Sequence, residues 1–351
     1  MNITEILQKA VAEKASDIFI VAGLPVSLRK NGIISRLDET RLLPPDTEEL
    51  ISQIYSMAGN RELAIVSDGG DDDFSFAVPG LSRFRVSAYK QRNALSAVIR
   101  IITFDLPDYS ELGIPDTIIN MGNGSGGMVL VTGPAGSGKS TTLACIIDHI
   151  NKTRDKHIIT LEDPLEYLHR HNRSIVSQRE INVDTENYVT ALRAALRQSP
   201  DVILLGEMRD YETISIAMTA AETGHMLFST LHTIGAANTI DRIIDVFPAN
   251  QQRQVAVQLS MVLSAVVSQQ LLPAVDGGVV PAFEIMTVNP AIRNMIRDNK
   301  IPQIEGLLYS SSKEDMISMD SSILKLYQEG RITRETALLY ATNPEMLERK
   351  L

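Results

Sequence analysis

The sequence has little cysteine, few aromatic residues and no long uninterrupted apolar run. Cys145 is the only cysteine among 351 residues. No disulfide can therefore form within the chain, as is typical of proteins from a reducing compartment. The same scarcity excludes a zinc site built from several cysteines. We expect Cys145 to be a small buried residue on a helix.

The chain also has fewer basic residues than acidic residues. The chain has 33 Lys and Arg against 43 Asp and Glu, which gives a net charge of -10. Phosphate backbones are bound by clustered Lys and Arg, so this balance argues against a general nucleic-acid surface. We therefore expect no nucleic-acid partner, although a local basic groove is compatible with the total.

No segment has the sequence of a signal peptide or a membrane span. The opening residues 1–21 carry Glu5, Lys9 and Glu13, which interrupt any apolar run. The most apolar stretch, residues 255–272 ("VAVQLSMVLSAVVSQQLL"), contains serines and glutamines and predicts a buried helix. We therefore expect a cytoplasmic protein, for which any position at a membrane would depend on a partner.

The first part of the chain has the pattern of a small α+β domain. Residues 3–14 have helical apolar spacing. "DIFIVAG" and "PVSLRK" predict strands, and Asn31-Gly32 predicts a hairpin turn. We interpret the acidic run at 71–73 as a solvated loop. The predicted domain covers residues 1–106.

The second part of the chain has the pattern of an α/β domain. Residues 107–116 carry Pro107 and Pro115 without a clear period, and predict a linker. Apolar strands and helical segments alternate over residues 117–351, which predicts a mostly parallel sheet with a C-terminal helical region.

A complete phosphate-binding loop lies in this second part. The loop follows the apolar strand "MVLVT" and precedes the helical segment "STTLACIIDHI". Glycines let backbone N–H groups converge on phosphates at a helix N-terminus. The lysine would reach the β- and γ-phosphates of ATP and the serine would bind Mg²⁺. The predicted nucleotide-binding residues are Gly133, Pro134, Ala135, Gly136, Ser137, Gly138, Lys139, Ser140 and Thr141.

Hydrolysis needs carboxylates as well as a phosphate loop. "DVILLGE" predicts a strand that ends at Glu207, and "HIITLEDPLEY" predicts one that ends near Glu162. We expect Glu207 in the Mg²⁺ shell and Glu162 on the attacking water, or the reverse assignment. A salt bridge or helix cap is the structural alternative for either residue.

Two histidines bracket the predicted strand "MLFSTL". His232 follows it and could sense the γ-phosphate, and His225 precedes it as a second possible sensor. Their separation by seven residues is not a usual metal-ligand spacing. Arg193 and Arg209 are further possible sensors, or structural residues.

These motifs together resemble those of the secretion-type hexameric ATPases, and most closely the family of type IV pilus retraction ATPases. The resemblance covers nearly the whole chain. "ASDIFIVAG" is similar to the family's N-terminal signature, "GPAGSGKSTTLA" to its Walker A motif, and "ITLEDPLEY" to its Asp box. "LLGEMRD" resembles its Walker B motif and "AAETGHMLFSTLHT" its His box.

The resemblance implies a fold and an assembly. It implies a RecA-like P-loop NTPase domain preceded by a small α+β PAS-like domain, assembled as a homo-hexamer. It also implies that Arg85 and Arg100 of the N-terminal domain reach the bound nucleotide, with Arg83 as the competing choice for Arg85. The implied cofactors are ATP and Mg²⁺, and the implied partners are an inner-membrane pilus platform protein and paralogous pilus ATPases.

One helix is implied to serve retraction rather than ATP turnover. Asn289 is a good N-cap and Pro290 suits the first helical position, so the segment also predicts a helix on its own. It resembles the family's retraction box, with Met295 and Asp298 as conservative departures that leave a paralogous accessory ATPase open. The residues concerned are Ala291, Ile292, Arg293, Asn294, Met295, Ile296 and Arg297.

Two absences favour retraction. Pilus-extension and type II secretion ATPases usually carry a further N-terminal domain and a four-cysteine metal site, and this sequence has neither. The alternatives that remain are a type II secretion or conjugation ATPase, a nucleotide-binding regulator with little turnover, and a RecA-like nucleic-acid translocase.

Overall fold

The chain divides into two compact units. The computed structural model describes residues 2–30, 32–102, 106–311 and 313–351. The first unit comprises the described residues up to 102 together with Glu166–Leu168. The second comprises Leu106–Leu165 and the described part of His169–Leu351.

The first unit is an antiparallel sheet with helices packed on one face. Its six strands have the order β3-β2-β1-β6-β5-β4. Apolar residues of the first two helices and the inward side chains of the strands form its core. The elements are α1 (Ile3–Ala12), β1 (Asp17–Ile20), β2 (Ser27–Lys30), β3 (Ile33–Arg36), α2 (Pro44–Met57), α3 (Ala64–Gly69), β4 (Asp71–Val78), β5 (Ser82–Gln91) and β6 (Ala94–Ile102).

The sequence predictions for this unit are largely confirmed. Helix α1 lies where the apolar spacing placed it, and β2 pairs with β3 through Lys30 and Ile33. Asn31 of the predicted hairpin turn lies outside the described residues.

The prediction of a solvated acidic loop at 71–73 is wrong. These residues begin β4, and Asp72 is buried. Asp72 accepts two hydrogen bonds of 2.7 Å from the Arg61 guanidinium and one of 2.9 Å from the Tyr55 hydroxyl. The guanidinium holds the pKa of Asp72 below its usual value. A partner eleven residues away therefore stabilises a buried charge that the local sequence predicted to be solvated.

The second unit is a mostly parallel sheet with helices on both faces. Its eight strands have the order β14-β13-β12-β7-β11-β10-β8-β9. The strands from β12 to β9 are parallel to their neighbours, whereas β13 and β14 are antiparallel. Its strands are β7 (Gly127–Thr132), β8 (His157–Glu162), β9 (Ile175–Glu180), β10 (Val202–Leu205), β11 (Met226–Leu231), β12 (Leu263–Pro273), β13 (Val279–Thr287) and β14 (Met316–Ile317).

The helices cover the sheet on its two faces and continue into a C-terminal helical cluster. A short 3-10 turn at Asn120–Asn123 precedes β7. The helices are α4 (Asp116–Ile119), α5 (Lys139–Thr153), α6 (Tyr188–Ala195), α7 (Tyr211–Glu222), α8 (Ala236–Asp245), α9 (Ala249–Val262), α10 (Pro290–Arg297), α11 (Pro302–Ser310), α12 (Met319–Gln328), α13 (Arg334–Tyr340) and α14 (Pro344–Glu348).

The apolar stretch at 255–272 is not a single buried helix as predicted. It is the end of α9 followed by most of β12. The chain changes from helix to strand at Leu263, and β12 then pairs with both β7 and β13. Hydrogen bonding to two strands therefore decides the structure of this apolar stretch from Leu263 onward. Among the described helices, none combines the length and the apolar character needed to cross a bilayer.

Two smaller predictions are confirmed. Cys145 is buried on α5, and burial raises the pKa of its thiol to about 12. Helix α10 begins at Pro290, and the Asn289 side chain accepts hydrogen bonds from the backbone N–H groups of Ala291 and Ile292. Ile292 and Ile296 are buried, whereas Arg293 and Arg297 are exposed.

Candidate functional site

The phosphate loop has the backbone that convergent N–H groups require. Gly133, Gly136 and Gly138 all have positive φ values, of 140°, 75° and 85°. An L-residue with a side chain rarely adopts such values, so the glycines fix the loop's path. Lys139 is buried, and its Nζ donates hydrogen bonds of 2.9 Å to the carbonyl oxygens of Gly133 and Pro134. These two hydrogen bonds tie the Lys139 side chain to the backbone of the loop.

The floor of the loop is Gln269 of β12. A Cβ placed on Gly133 would lie 2.2 Å from the Gln269 carbonyl oxygen. A Cβ on Gly138 would lie 2.8 Å from Gln269 Nε2. The Thr142 hydroxyl donates a 2.7 Å hydrogen bond to Gln269 Oε1. Gln269 therefore packs directly against the loop and the first turn of α5.

The loop also carries polar atoms suited to an anion or a metal-bound anion. Ser137 Oγ and Thr132 Oγ1 are buried and lack hydrogen-bond partners within the described structure. A buried hydroxyl without a partner is costly unless a ligand satisfies it. Ser140 is the second residue of α5, where the helix N-terminus favours negative charge. These features fit a nucleoside triphosphate with Mg²⁺.

Glu162 and Glu207 lie at the carboxyl ends of adjacent parallel strands. Glu162 ends β8, and Glu207 follows β10 by two residues. The register pairs Leu161 with Leu205, so the two ends are level. Burial, followed by the charges of Glu207, Asp163 and Glu162, raises the pKa of Tyr188. The Tyr188 hydroxyl therefore lies among these carboxylates, and sequence reasoning did not identify it.

The carboxylates lie on one side of the phosphate loop rather than flanking it. β11 lies between β10 and β7, the strand that leads into the loop. His232 follows β11 directly, and its Nε2 lies 3.6 Å from Glu207 Oε2. Arg209 Nη2 lies 2.7 Å from Glu207 Oε1. A cavity of about 570 Å³ opens over Glu207, Arg209 and His232.

Two of the possible sensors lie apart from this cluster. His225 precedes β11, at the opposite end of the strand from His232, and its Nδ1 lies 2.9 Å from the Ala220 carbonyl oxygen. Arg193 on α6 forms a 2.8 Å ion pair with Glu212. The structure therefore brings Arg209 and His232, but not His225 and Arg193, to Glu207.

The candidate arginines of the first unit share one face of its sheet. Arg85 and Arg100 are directly opposite each other in the β5–β6 register. Arg83 lies two residues before Arg85 on the same strand and therefore points to the same face. Arg100 Nε donates a 3.1 Å hydrogen bond to Asp17 Oδ1, and Arg29 forms a 3.5 Å ion pair with the same carboxylate.

A groove beside the phosphate loop was not expected from the sequence. It has a volume of about 490 Å³ and is lined by Gly138 and Thr141 of the loop and by Ser110–Pro115. The last segment belongs to the stretch predicted as a linker, but Leu106, Tyr109 and Leu112 pack against the core of the second unit. Phe283 and Lys325 line the opposite wall. The groove therefore adjoins the phosphate loop and the first turn of α5.

Comparisons with known proteins agree with this geometry. The profile of the type II/IV secretion system protein family matches residues 1–332. The chain belongs to this family. Its members are ATPases, and the chain is accordingly an ATPase with an N-terminal domain and a RecA-like domain.

The curated relatives and solved structures include pilus ATPases. The type IV pilus retraction ATPase PilT of Pseudomonas aeruginosa is 43% identical over 346 residues, with 98% of this chain and 99% of that protein covered. PilU of the same organism is 38% identical over 342 residues, with 97% and 89% covered. A crystal structure of the pilus retraction motor PilT with bound ADP has a TM-score of 0.90 at 46% identity, with 99% of each chain covered.

The Gln269 carbonyl oxygen leaves no room for a side chain at Gly133 of the phosphate loop. In Gly133→Ala the new methyl group would overlap a backbone oxygen, so we expect the affinity for ATP to fall on the order of tenfold or more. In Gly136→Ala the methyl group enters open space, so only the backbone strain of an αL alanine, about 1 kcal/mol, weakens binding. Titration with a fluorescent ATP analogue measures both. Equal losses in the two variants would contradict the role of Gln269 as the floor.

Proposed function

We propose that this protein is a motor ATPase that hydrolyses Mg-ATP to drive retraction, that is depolymerisation, of type IV pili in twitching motility. The observation that carries the proposal is the edge of the second sheet, where a complete phosphate loop, Glu207, Glu162 and His232 follow strands in one parallel register. The near-full-length similarity to PilT supports the choice of filament.

The phosphate loop would bind the triphosphate by exchanging internal contacts. Lys139 Nζ now bonds to two loop carbonyls, and would release them for the β- and γ-phosphate oxygens. Ser140 and Glu207 would hold Mg²⁺, which supplies charge neutralisation at those phosphates. The proposed base or orienting group for the attacking water is Glu162.

Contacts around Glu207 suit a sensor of the γ-phosphate. Glu207 bonds to Arg209 and lies near His232. The hydrogen bond that Arg209 donates to Glu207 raises the pKa of Arg209. A change in charge at the γ-phosphate would therefore act on Glu207 and reposition His232.

Turnover variants test the proposed chemistry. Lys139→Ala should lose ATP binding and hydrolysis together. Glu162→Gln should still bind ATP while kcat falls about 10²-fold or more, since a general base contributes that much. Glu186→Gln, which removes an exposed charge near α6, is the control and should turn over normally. Steady-state phosphate release with and without DNA measures these rates, and DNA should have no effect.

Three results would change the assignment. A Glu162→Gln protein as active as the wild type would remove that residue from the chemistry. If Glu162→Gln rather than Glu207→Gln raised the Mg²⁺ concentration needed for half-maximal rate, the two roles would be exchanged. A wild-type protein that binds ATP without turnover would favour the nucleotide-binding regulator.

Arginines of the first unit would complete the charge around the phosphates. Arg85 and Arg100 form a cross-strand pair on one face, and a guanidinium suits several phosphate oxygens at once. We propose that they engage nucleotide as the first unit closes on the second within a homo-hexameric ring. Closure would reopen after hydrolysis, and this cycle would link chemistry to movement.

Removal of these arginines should slow turnover more than it weakens binding. We expect Arg85→Ala and Arg100→Ala to lower kcat on the order of 10³-fold, as for arginines supplied to a phosphoryl-transfer site. Arg36→Ala is the matched control, because Arg36 is exposed and pairs only at 3.6 Å with Glu39. Arg83→Ala decides between Arg83 and Arg85. Wild-type kcat in both Arg85→Ala and Arg100→Ala would rule out the arginine contribution.

The ring would work at the inner face of the cell membrane through a platform protein. Helix α10 presents Arg293 and Arg297 on its exposed face while Ile292 and Ile296 hold it to α9. We propose that this face serves force transmission to the pilus base and is separate from nucleotide turnover. Paralogous pilus ATPases would be further partners.

Deletion of the gene in its host tests the biological proposal. Loss of retraction should leave excess pili without twitching, whereas loss of extension would leave none. A copy with Arg293→Glu and Arg297→Glu should not restore twitching although its ATPase rate stays normal. The control reverses Arg92 and Lys350, two exposed charges outside α9 and α10, and should restore motility. Normal twitching after deletion would favour an accessory role like that of PilU.

A further inference from the structure

A single buried carboxylate joins the N-termini of two helices of the second unit. Glu284 in β13 is 8% exposed. It accepts a 2.7 Å hydrogen bond from the backbone N–H of Ala236 and a 3.3 Å hydrogen bond from that of Met319. Ala236 is the first residue of α8 and Met319 the first residue of α12.

Burial of the Glu284 carboxylate is energetically unfavourable by itself. Burial raises the pKa of Glu284, and the charges of Glu305 and Asp320 add to the effect, whereas the two N–H groups oppose it. Desolvating a carboxylate costs several kcal/mol unless its partners compensate. The positive ends of both helix dipoles supply part of that compensation. Glu284 therefore depends on both helix termini remaining in place.

One end of this bridge lies close to the proposed sensor. Helix α8 begins four residues after His232. The Gly235 N–H donates a 2.9 Å hydrogen bond to Ser268 Oγ. Ser268 pairs with Thr132 at the end of β7 on one side and with Glu284 on the other. The row Thr132–Ser268–Glu284 thus runs from the base of the phosphate loop to the bridge.

The other end of the bridge borders an open space among the C-terminal helices. A cavity of about 430 Å³ lies beside Glu284, between the start of α8, α11, the start of α12 and the end of α13. Ile234, Gln270 and Leu339 are among its lining residues. Protein interiors are normally close-packed and resist displacement. This space gives the start of α12 room to follow α8.

We propose that Glu284 is a positioning residue that couples the conformation of the His232–Gly235 loop to α12 and the helices that follow it. A shift of the loop moves the first turn of α8, the Ala236 N–H carries Glu284 with it, and the second carboxylate oxygen moves the Met319 N–H. The inference rests on the proposed nucleotide cycle and names the path by which that cycle reaches the C-terminal helices.

Hydrogen exchange on the full chain tests this coupling. In the wild type, a non-hydrolysable ATP analogue with Mg²⁺ should slow exchange in the phosphate loop and change it in the first turn of α12. In Glu284→Gln the phosphate-loop response should persist while the α12 response falls by roughly fivefold or more. In steady-state assays kcat should fall while KM stays within about twofold, because the phosphate loop is untouched.

Asp72→Asn is the matched control. Asp72 is a second buried carboxylate, in β4 of the first unit, and it accepts two hydrogen bonds of 2.7 Å from the Arg61 guanidinium and one of 2.9 Å from the Tyr55 hydroxyl. Its loss should lower the melting temperature but keep the α12 response to nucleotide. Should Glu284→Gln not fold, Glu284→Asp keeps the charge but reaches only one of the two amides.

Each outcome decides the matter. An α12 response that survives in Glu284→Gln overturns the coupling. A response lost equally in Asp72→Asn also overturns it, because general loosening would then explain the loss. A wild-type protein with no phosphate-loop response overturns the proposed nucleotide site and the coupling with it, whereas a phosphate-loop response without an α12 response overturns the coupling alone.

Discussion

The parallel register of five strands is the constraint on which the site depends. β12, β7, β11, β10 and β8 are adjacent and parallel, so their carboxyl ends lie along one edge. The segments that follow these strands, from residues scattered over more than a hundred positions, therefore meet there. Every residue of β10 and β11 is buried. Burial on both faces leaves the strands little freedom to slip, so the edge holds its side chains in fixed relative positions.

Close packing beneath the phosphate loop fixes the path of its backbone. The Gln269 carbonyl approaches Gly133 so closely that no side chain fits. The positive φ values of the loop glycines and the two hydrogen bonds from Lys139 to loop carbonyls restrict the loop further. A loop with few alternative conformations loses little conformational entropy when it binds a phosphate group. The unsatisfied hydroxyl of Ser137 adds a further reason for a ligand to bind.

Sequence patterns predicted those features of the structure that depend on residues close together in the chain. The phosphate loop, the strands before Glu162 and Glu207, and the capped helix α10 could all be inferred, because each depends on neighbours within a few residues. Asp72 could not, since its partners Arg61 and Tyr55 come from other elements. Gln269 bonds to Thr142, which lies 127 residues earlier in the chain. No spacing rule connects such residues before the sheet order is known.

The same limit applies to the change from α9 to β12. Residues 255–272 form one apolar stretch that predicted a buried helix, yet their second half pairs with two strands. This choice has a consequence for the site, because side chains alternate between the faces of a strand. Gln269 contacts the phosphate loop and α5 on one face, whereas Ser268 bonds to the start of α8 on the other. β12 therefore contacts both the phosphate loop and the start of α8, where Glu284 also bonds. A helix at this position would place Ser268 and Gln269 about 100° apart instead of on opposite faces, and the two contacts could not both form.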